Sequence, residues 1–134
     1  MFSEINAYIT GDIDEGLLIV TGKLMKETSI EDAENAINNE LSQIIEGNIT
    51  DYEIEKVKNK FESVFQFGQQ NILNKAMDLA YYELLGDADK INDEVKNYRQ
   101  VTKEEIKRVA SKIFNNNNSS TLYYLSKELN HDVK

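Results

Sequence analysis

The chain has 134 residues, is 40% hydrophobic and 29% charged, carries a formal net charge of −9, and contains neither cysteine nor proline. That size suits one domain able to bury a core. The composition excludes disulfide frameworks, cysteine nucleophiles and thiolate-held zinc, and an acidic balance without a basic stripe argues against nucleic-acid binding. The longest apolar run, Leu17 to Val20, is four residues, far short of the roughly 18 to 20 that a transmembrane helix needs. No membrane partner is expected.

Ile5 to Gly22 reads as two strands around an acidic turn. In the first strand, Ile5 to Thr10, Ile5, Ala7 and Ile9 alternate with Asn6, Tyr8 and Thr10, as in a strand with two unlike faces. The second, Gly16 to Thr21, contains the continuous run Leu17-Leu18-Ile19-Val20. Such a run marks a central strand covered on both sides. The connection Gly11-Asp12-Ile13-Asp14-Glu15-Gly16 is flexible and solvated. It is longer than a two-residue hairpin turn, and antiparallel pairing of the two strands is expected.

Helical signals fill the chain from Ser29 onward. Ser29-x-x-Asp32 resembles a capping box, Ile30, Ala33, Ile37, Leu41 and Ile44 recur at helical spacing, and Gly47 supplies the stop. Thr50-x-x-Glu53 opens a second helix with the stripe Ile54, Val57, Phe61, Val64 and Phe65. A third runs from about Asn71 to Leu85 with Ile72, Leu73, Ala76, Met77, Ala80, Tyr81 and Leu84 inward, ending at Gly86. A shorter helix spans about Ala88 to Tyr98. Thr102-x-x-Glu105 opens a fifth helix that presents Ile106, Val109, Ala110, Ile113 and Phe114.

The polar run Asn115 to Ser120 ends that helix. Thr121 to Leu125 then reads as a closing strand by β-propensity and length, and Ser126 to Lys134 as a frayed tail. The expected fold is α+β: a small, mostly antiparallel sheet built from both chain ends, covered on one face by about five helices. The domain would occupy residues 1–126, with 127–134 as tail. Three strands are few for a stable layer, which leaves room for one supplied from elsewhere.

Chemistry-bearing patterns are sparse. The one histidine, His131, stands in the tail, and with no cysteine a zinc site would need several carboxylates. Asp12, Asp14 and Glu15 form the tightest acidic cluster. They could serve as hard-cation ligands or an acid/base pair, but a solvated hairpin tip explains them more simply. Gly86-Asp87-Ala88-Asp89 reads as a helix stop followed by a cap. No dinucleotide fingerprint, phosphate loop or nucleophile elbow occurs, and the serines lack an internal histidine base. No catalytic residue and no cofactor are expected in this chain.

The order of elements carries more information. ITDYEIEKVKNKF in the second helix, the LLGD turn of Leu84 to Asp87 and YRQVTKEEI from Tyr98 to Ile106 together resemble the carboxyl-terminal domain of insulinase/pitrilysin-type zinc metallopeptidases. The processing-peptidase-like members are the most similar, and the resemblance spans roughly residues 2 to 126. In that family two α/β halves or subunits close around a peptide. The amino-terminal domain holds zinc through an inverted His-x-x-Glu-His motif, which this sequence lacks.

The resemblance therefore implies a non-catalytic carboxyl-terminal domain of a zinc-dependent peptidase, or of its zinc-less partner. It would form a wall of the peptide-binding chamber, with the amino-terminal zinc-binding domain or subunit and the parent's peptide substrate as partners. Zinc belongs to that amino-terminal domain. The family often places a substrate-contacting Tyr on the first hairpin strand and an Arg in the next turn. Tyr8 stands in the first position; the turn GDIDEG has no Arg. The reading of a different class is a self-standing protein-interaction module offering an open sheet edge.

Overall fold

A computed structural model describes residues 1–11 and 13–125. The fold is α+β. Strands β1 (Phe2–Ile9) and β2 (Leu18–Leu24) are followed by α1 (Ile30–Glu46), α2 (Asp51–Gly68), α3 (Ile72–Leu84), a 3₁₀ segment (Ala88–Asp93), α4 (Glu94–Gln100), α5 (Lys103–Ile113) and a short 3₁₀ turn at Asn116–Asn118. The expected tail, residues 127–134, lies outside the described residues, as do His131 and Asp12.

β1 and β2 form an antiparallel hairpin in the register Ile5↔Gly22, Ala7↔Val20, Tyr8↔Ile19 and Ile9↔Leu18. The Thr10 amide donates to the Leu17 carbonyl at 3.0 Å, and the Leu17 amide donates to Thr10 Oγ1 at 3.0 Å. These two bonds close the turn at its base. Cross-strand partners share a face and successive residues alternate, so Ile5, Ala7, Ile9, Leu18, Val20, Gly22 and Leu24 line one face. Glu4, Asn6, Tyr8, Ile19, Thr21 and Lys23 line the other. The register shifts between Phe2 and Glu4, which moves Phe2 onto the apolar face. Its ring lies over Gly22, where a Cβ would come within 2.6 Å of Phe2 Cε1. That close approach is what the glycine permits.

Two expectations are corrected. Among the described residues the sheet has two strands, both from the amino-terminal part of the chain, and Thr121 to Leu125 form no strand. A segment becomes a strand only where a neighbour's edge meets it, and strand propensity cannot supply that neighbour. The segment lies instead beside α1, where the Tyr123 hydroxyl donates to Glu34 Oε2 at 2.8 Å. The helices also do not bury the sheet. They pack chiefly on one another, α1 with α5, α2 with α4 and α3 with the 3₁₀ segment. Ile5, Ile9 and Leu18 on the apolar sheet face are exposed.

Helix boundaries follow their caps. Ser29 Oγ accepts the Asp32 amide at 3.0 Å, and the left-handed Gly47, φ 81°, ends α1 by donating back to Gln43 and Ile44. Thr50 and Glu53 form a reciprocal capping box, as do Thr102 and Glu105. In each pair the backbone N–H and hydroxyl of the threonine donate to the carboxylate. Both glutamates are thereby held below the ordinary carboxylate range. Such groups stabilise the fold above that range, and the contribution is lost as pH falls below it. Thr50→Ala is expected to cost about 1 kcal/mol, read as a lower thermal midpoint, with a flatter stability profile on the acid side. The fourth expected helix is divided: Asp87 accepts the Asp89 amide at 2.9 Å, and its first part winds as 3₁₀.

Buried apolar side chains among the described residues are Ala33, Ile91 and Ala110, and none of them is sealed completely from solvent. The expected inward stripe of α1 is buried at Ala33 and half-buried at Ile30, Ile37, Leu41 and Ile44, and α5, with Ala110 buried, packs on α1. In α3, by contrast, Ile72, Leu73, Met77, Tyr81 and Leu84 are exposed, although their spacing placed them inward. The chain presents 11449 Å² of accessible surface. A compact monomer of its mass is expected near ~7,200 Å². Much apolar surface that ordinarily faces a core faces outward here.

Candidate functional site

Tyr8, the proposed substrate contact, lies on the polar face of the hairpin opposite Ile19 and is 50% exposed. Asn6 and Glu4 stand on the same strand and face, and Asn6 Nδ2 donates to Glu4 Oε1 at 2.9 Å. Thr21 and Lys23 sit across from them. These residues, with Gly22, border a shallow depression of about 220 Å³. The structure brings no arginine to Tyr8: Arg99 is in α4 and Arg108 in α5. Asp14 and Glu15 stand on the exposed turn.

A second depression, about 430 Å³ and open to solvent, is lined by Met1, Glu27, Thr28, Asp32, Asn35, Ala36 and Asn39. Glu27 adopts a left-handed backbone, φ 76°, in the turn that joins β2 to α1. The Thr28 amide donates to the Met25 carbonyl at 3.2 Å, and Thr28 Oγ1 to the Met1 carbonyl at 3.2 Å. These bonds hold the turn. Both depressions are open to solvent rather than enclosed. Among the described residues no three His, Cys, Asp or Glu side chains are grouped to hold a metal ion.

The densest polar cluster is one that the sequence did not single out. Glu55, Asn59 and Glu62 lie on one stripe of α2, and the Arg99 guanidinium of α4 meets all three. Arg99 Nε donates to Glu62 Oε2 at 2.9 Å, Nη1 to Glu55 Oε2 at 3.3 Å and Nη2 to Asn59 Oδ1 at 2.7 Å. Nη2 also pairs with Glu62. Lys58 Nζ donates to the Arg99 carbonyl at 2.9 Å. Beside this clamp the Phe61 and Tyr98 rings stack with centroids 3.4 Å apart. Spacing of 4 and 3 residues along α2 made the three acceptors neighbours; only the fold could say which cation faces them. The cluster joins two helices and has no cleft.

Tyr82 of α3 is half-buried and hydrogen-bonded to Glu94. Burial, first, and then the Glu94 carboxylate push its phenol well above the ordinary tyrosine range. The folded state therefore holds this proton more tightly than the unfolded chain. The stability it contributes is fully present below about pH 10, the unfolded tyrosine value, and declines as pH rises beyond it. Thermal midpoints measured from pH 9 to pH 11.5 are expected to fall less steeply for Tyr82→Phe than for the wild type.

The hairpin's apolar face is uncovered, further apolar residues are exposed on α3, and both outer edges of the hairpin are free among the described residues. No helix of the described residues is long and apolar enough to cross a membrane. In comparisons with known proteins the chain matches no family model, no curated protein and no solved structure.

Proposed function

We propose that this chain is a non-catalytic docking domain: the carboxyl-terminal domain of a zinc-dependent peptidase, or of its zinc-less partner subunit. It packs against an amino-terminal zinc-binding domain to form one wall of a peptide-binding chamber. The observation that carries the docking role is the hairpin's charge-free face, left open to solvent; the exposed apolar residues of α3 are a separate instance. Monomeric soluble proteins rarely leave contiguous apolar surface of this kind without a partner. The peptidase assignment rests on the ordered words of α2, the LLGD turn and the α4–α5 junction.

Zinc titration of the purified chain, combined with a peptide-cleavage assay, tests this role. The expected result is no tight zinc site and no cleavage by the chain alone, with cleavage appearing only when a domain bearing His-x-x-Glu-His is supplied. Stoichiometric zinc with peptidase activity in the isolated chain overturns it. Tyr8 remains the one residue offered toward peptide substrate, and without a neighbouring arginine it is a secondary contact.

A second reading is favoured by a separate observation. Among the described residues β1 and β2 each have an unpaired outer edge, the arrangement that takes up an extended segment by strand addition. On that reading the chain is a self-standing interaction module. The coding sequence upstream of Met1 discriminates: a preceding zinc-motif domain supports the peptidase, and an independent start supports the module.

A further inference from the structure

β2 has the sequence of a central strand and the position of an edge strand. Leu18, Ile19 and Val20 are apolar on both faces, the pattern of strands in a sheet interior, where both faces are covered. Yet among the described residues β2 pairs only with β1. Edges of this kind are ordinarily blunted by proline, inward charge or shortness. β2 has no proline, and its one charged residue, Lys23, stands near its far end.

The same chain carries a segment with the opposite deficit. Thr121 to Leu125 have strand chemistry, and among the described residues they form no secondary structure and no backbone–backbone hydrogen bond. Exposure alternates along the segment: Leu122 is 91% and Tyr124 97% exposed, whereas Tyr123 is 50% and Leu125 48% exposed. One side thus rests toward the domain, where Tyr123 bonds Glu34, and the other is open along its length. An unpaired strand and an unpaired edge occur in one chain without meeting.

We propose that Thr121 to Leu125 of one copy pair with the free edge of β2 in a second copy, and that the exchange is reciprocal. Two identical contacts related by a two-fold axis close the assembly, so it stops at a dimer. Each hairpin becomes a three-stranded sheet with β2 at its centre. The exchange rests on the open-edge reading and not on the peptidase resemblance, so either can fail alone. The net charge of −9 opposes association of like copies, and dimerisation strengthens as salt screens that repulsion.

Sedimentation equilibrium of the full chain, with and without Tyr124→Pro, tests the proposal, together with amide hydrogen exchange. Tyr124 is fully exposed, so the substitution removes a strand donor without disturbing packing, which an unchanged circular dichroism spectrum verifies. The expected result is a wild-type dimer favoured by salt, with amides of β2 and of residues 122–124 slow to exchange. In Tyr124→Pro the dissociation constant rises at least tenfold and protection is lost at alternate β2 amides. A wild-type monomer overturns the proposal, and slow exchange at 122–124 in that monomer identifies the chain's own sheet as the occupant. A dimer that survives Tyr124→Pro unchanged also overturns it.

Discussion

Ile91→Ala is expected to lower the unfolding free energy by about 2–4 kcal/mol, the cost of removing buried methylenes and leaving a partly unrelaxed cavity. Ile91 is the largest of the buried apolar side chains among the described residues, and it sits in the 3₁₀ segment that packs on α3 and leads into α4. In a chain with so few buried residues, neighbours offer little compensation. The loss appears in chemical denaturation as a lower midpoint with an unchanged slope. Ile72→Ala, at an exposed α3 position, serves as the control and is expected to change stability by less than about 0.5 kcal/mol. Equal losses at the two sites would mean that the α3 face is buried in solution.

Arg99→Ala is expected to cost about 1–2 kcal/mol. Charge-assisted hydrogen bonds are the stronger kind, but the guanidinium and its carboxylate partners are partly exposed, so solvent screening holds the loss well below that of a buried pair. Its removal leaves Glu55 and Glu62 on one stripe of α2 without their shared cation, in a chain already at −9. Arg99→Lys should recover only part of the loss, since an ammonium cannot serve Glu62, Asn59 and Glu55 from one planar fork. Melting curves at low and high salt separate the contributions: the ionic part shrinks with salt and the Phe61–Tyr98 stacking part does not.

Local features of the fold were legible in the sequence wherever local physics decided them. Ser29, Thr50 and Thr102 cap where their hydroxyls can reach an amide two or three residues on, and Gly47 ends α1 because it alone tolerates the left-handed turn at no steric cost. The two-faced alternation of β1 was also readable. Pairings between distant segments were not. Nothing local tells Thr121 to Leu125 that no edge lies within reach, nor the stripe of α3 that no layer covers it.

The candidate site divides in the same way. Tyr8 could be placed on a strand face by alternation, but the absence of an arginine at its side depended on where α4 and α5 lie. The Arg99 clamp left only the signal of Glu55, Asn59 and Glu62 on one helical stripe, which names three acceptors and no donor. Residues with helical or strand periodicity reveal which face is apolar. Whether that face meets the chain itself or another protein is a tertiary fact.

The central claim is that this chain leaves part of its core-forming surface for a partner. The heat capacity of unfolding measures that surface most directly, at dilutions where sedimentation shows a monomer. A compact chain of this length is expected near 1.6–2.0 kcal/mol/K. From its accessible surface this chain buries about 0.7 times the area of a compact monomer, which predicts about 1.3 kcal/mol/K. A value at or above about 1.7 kcal/mol/K would show that the isolated domain already covers its own apolar faces, and would contradict the docking account.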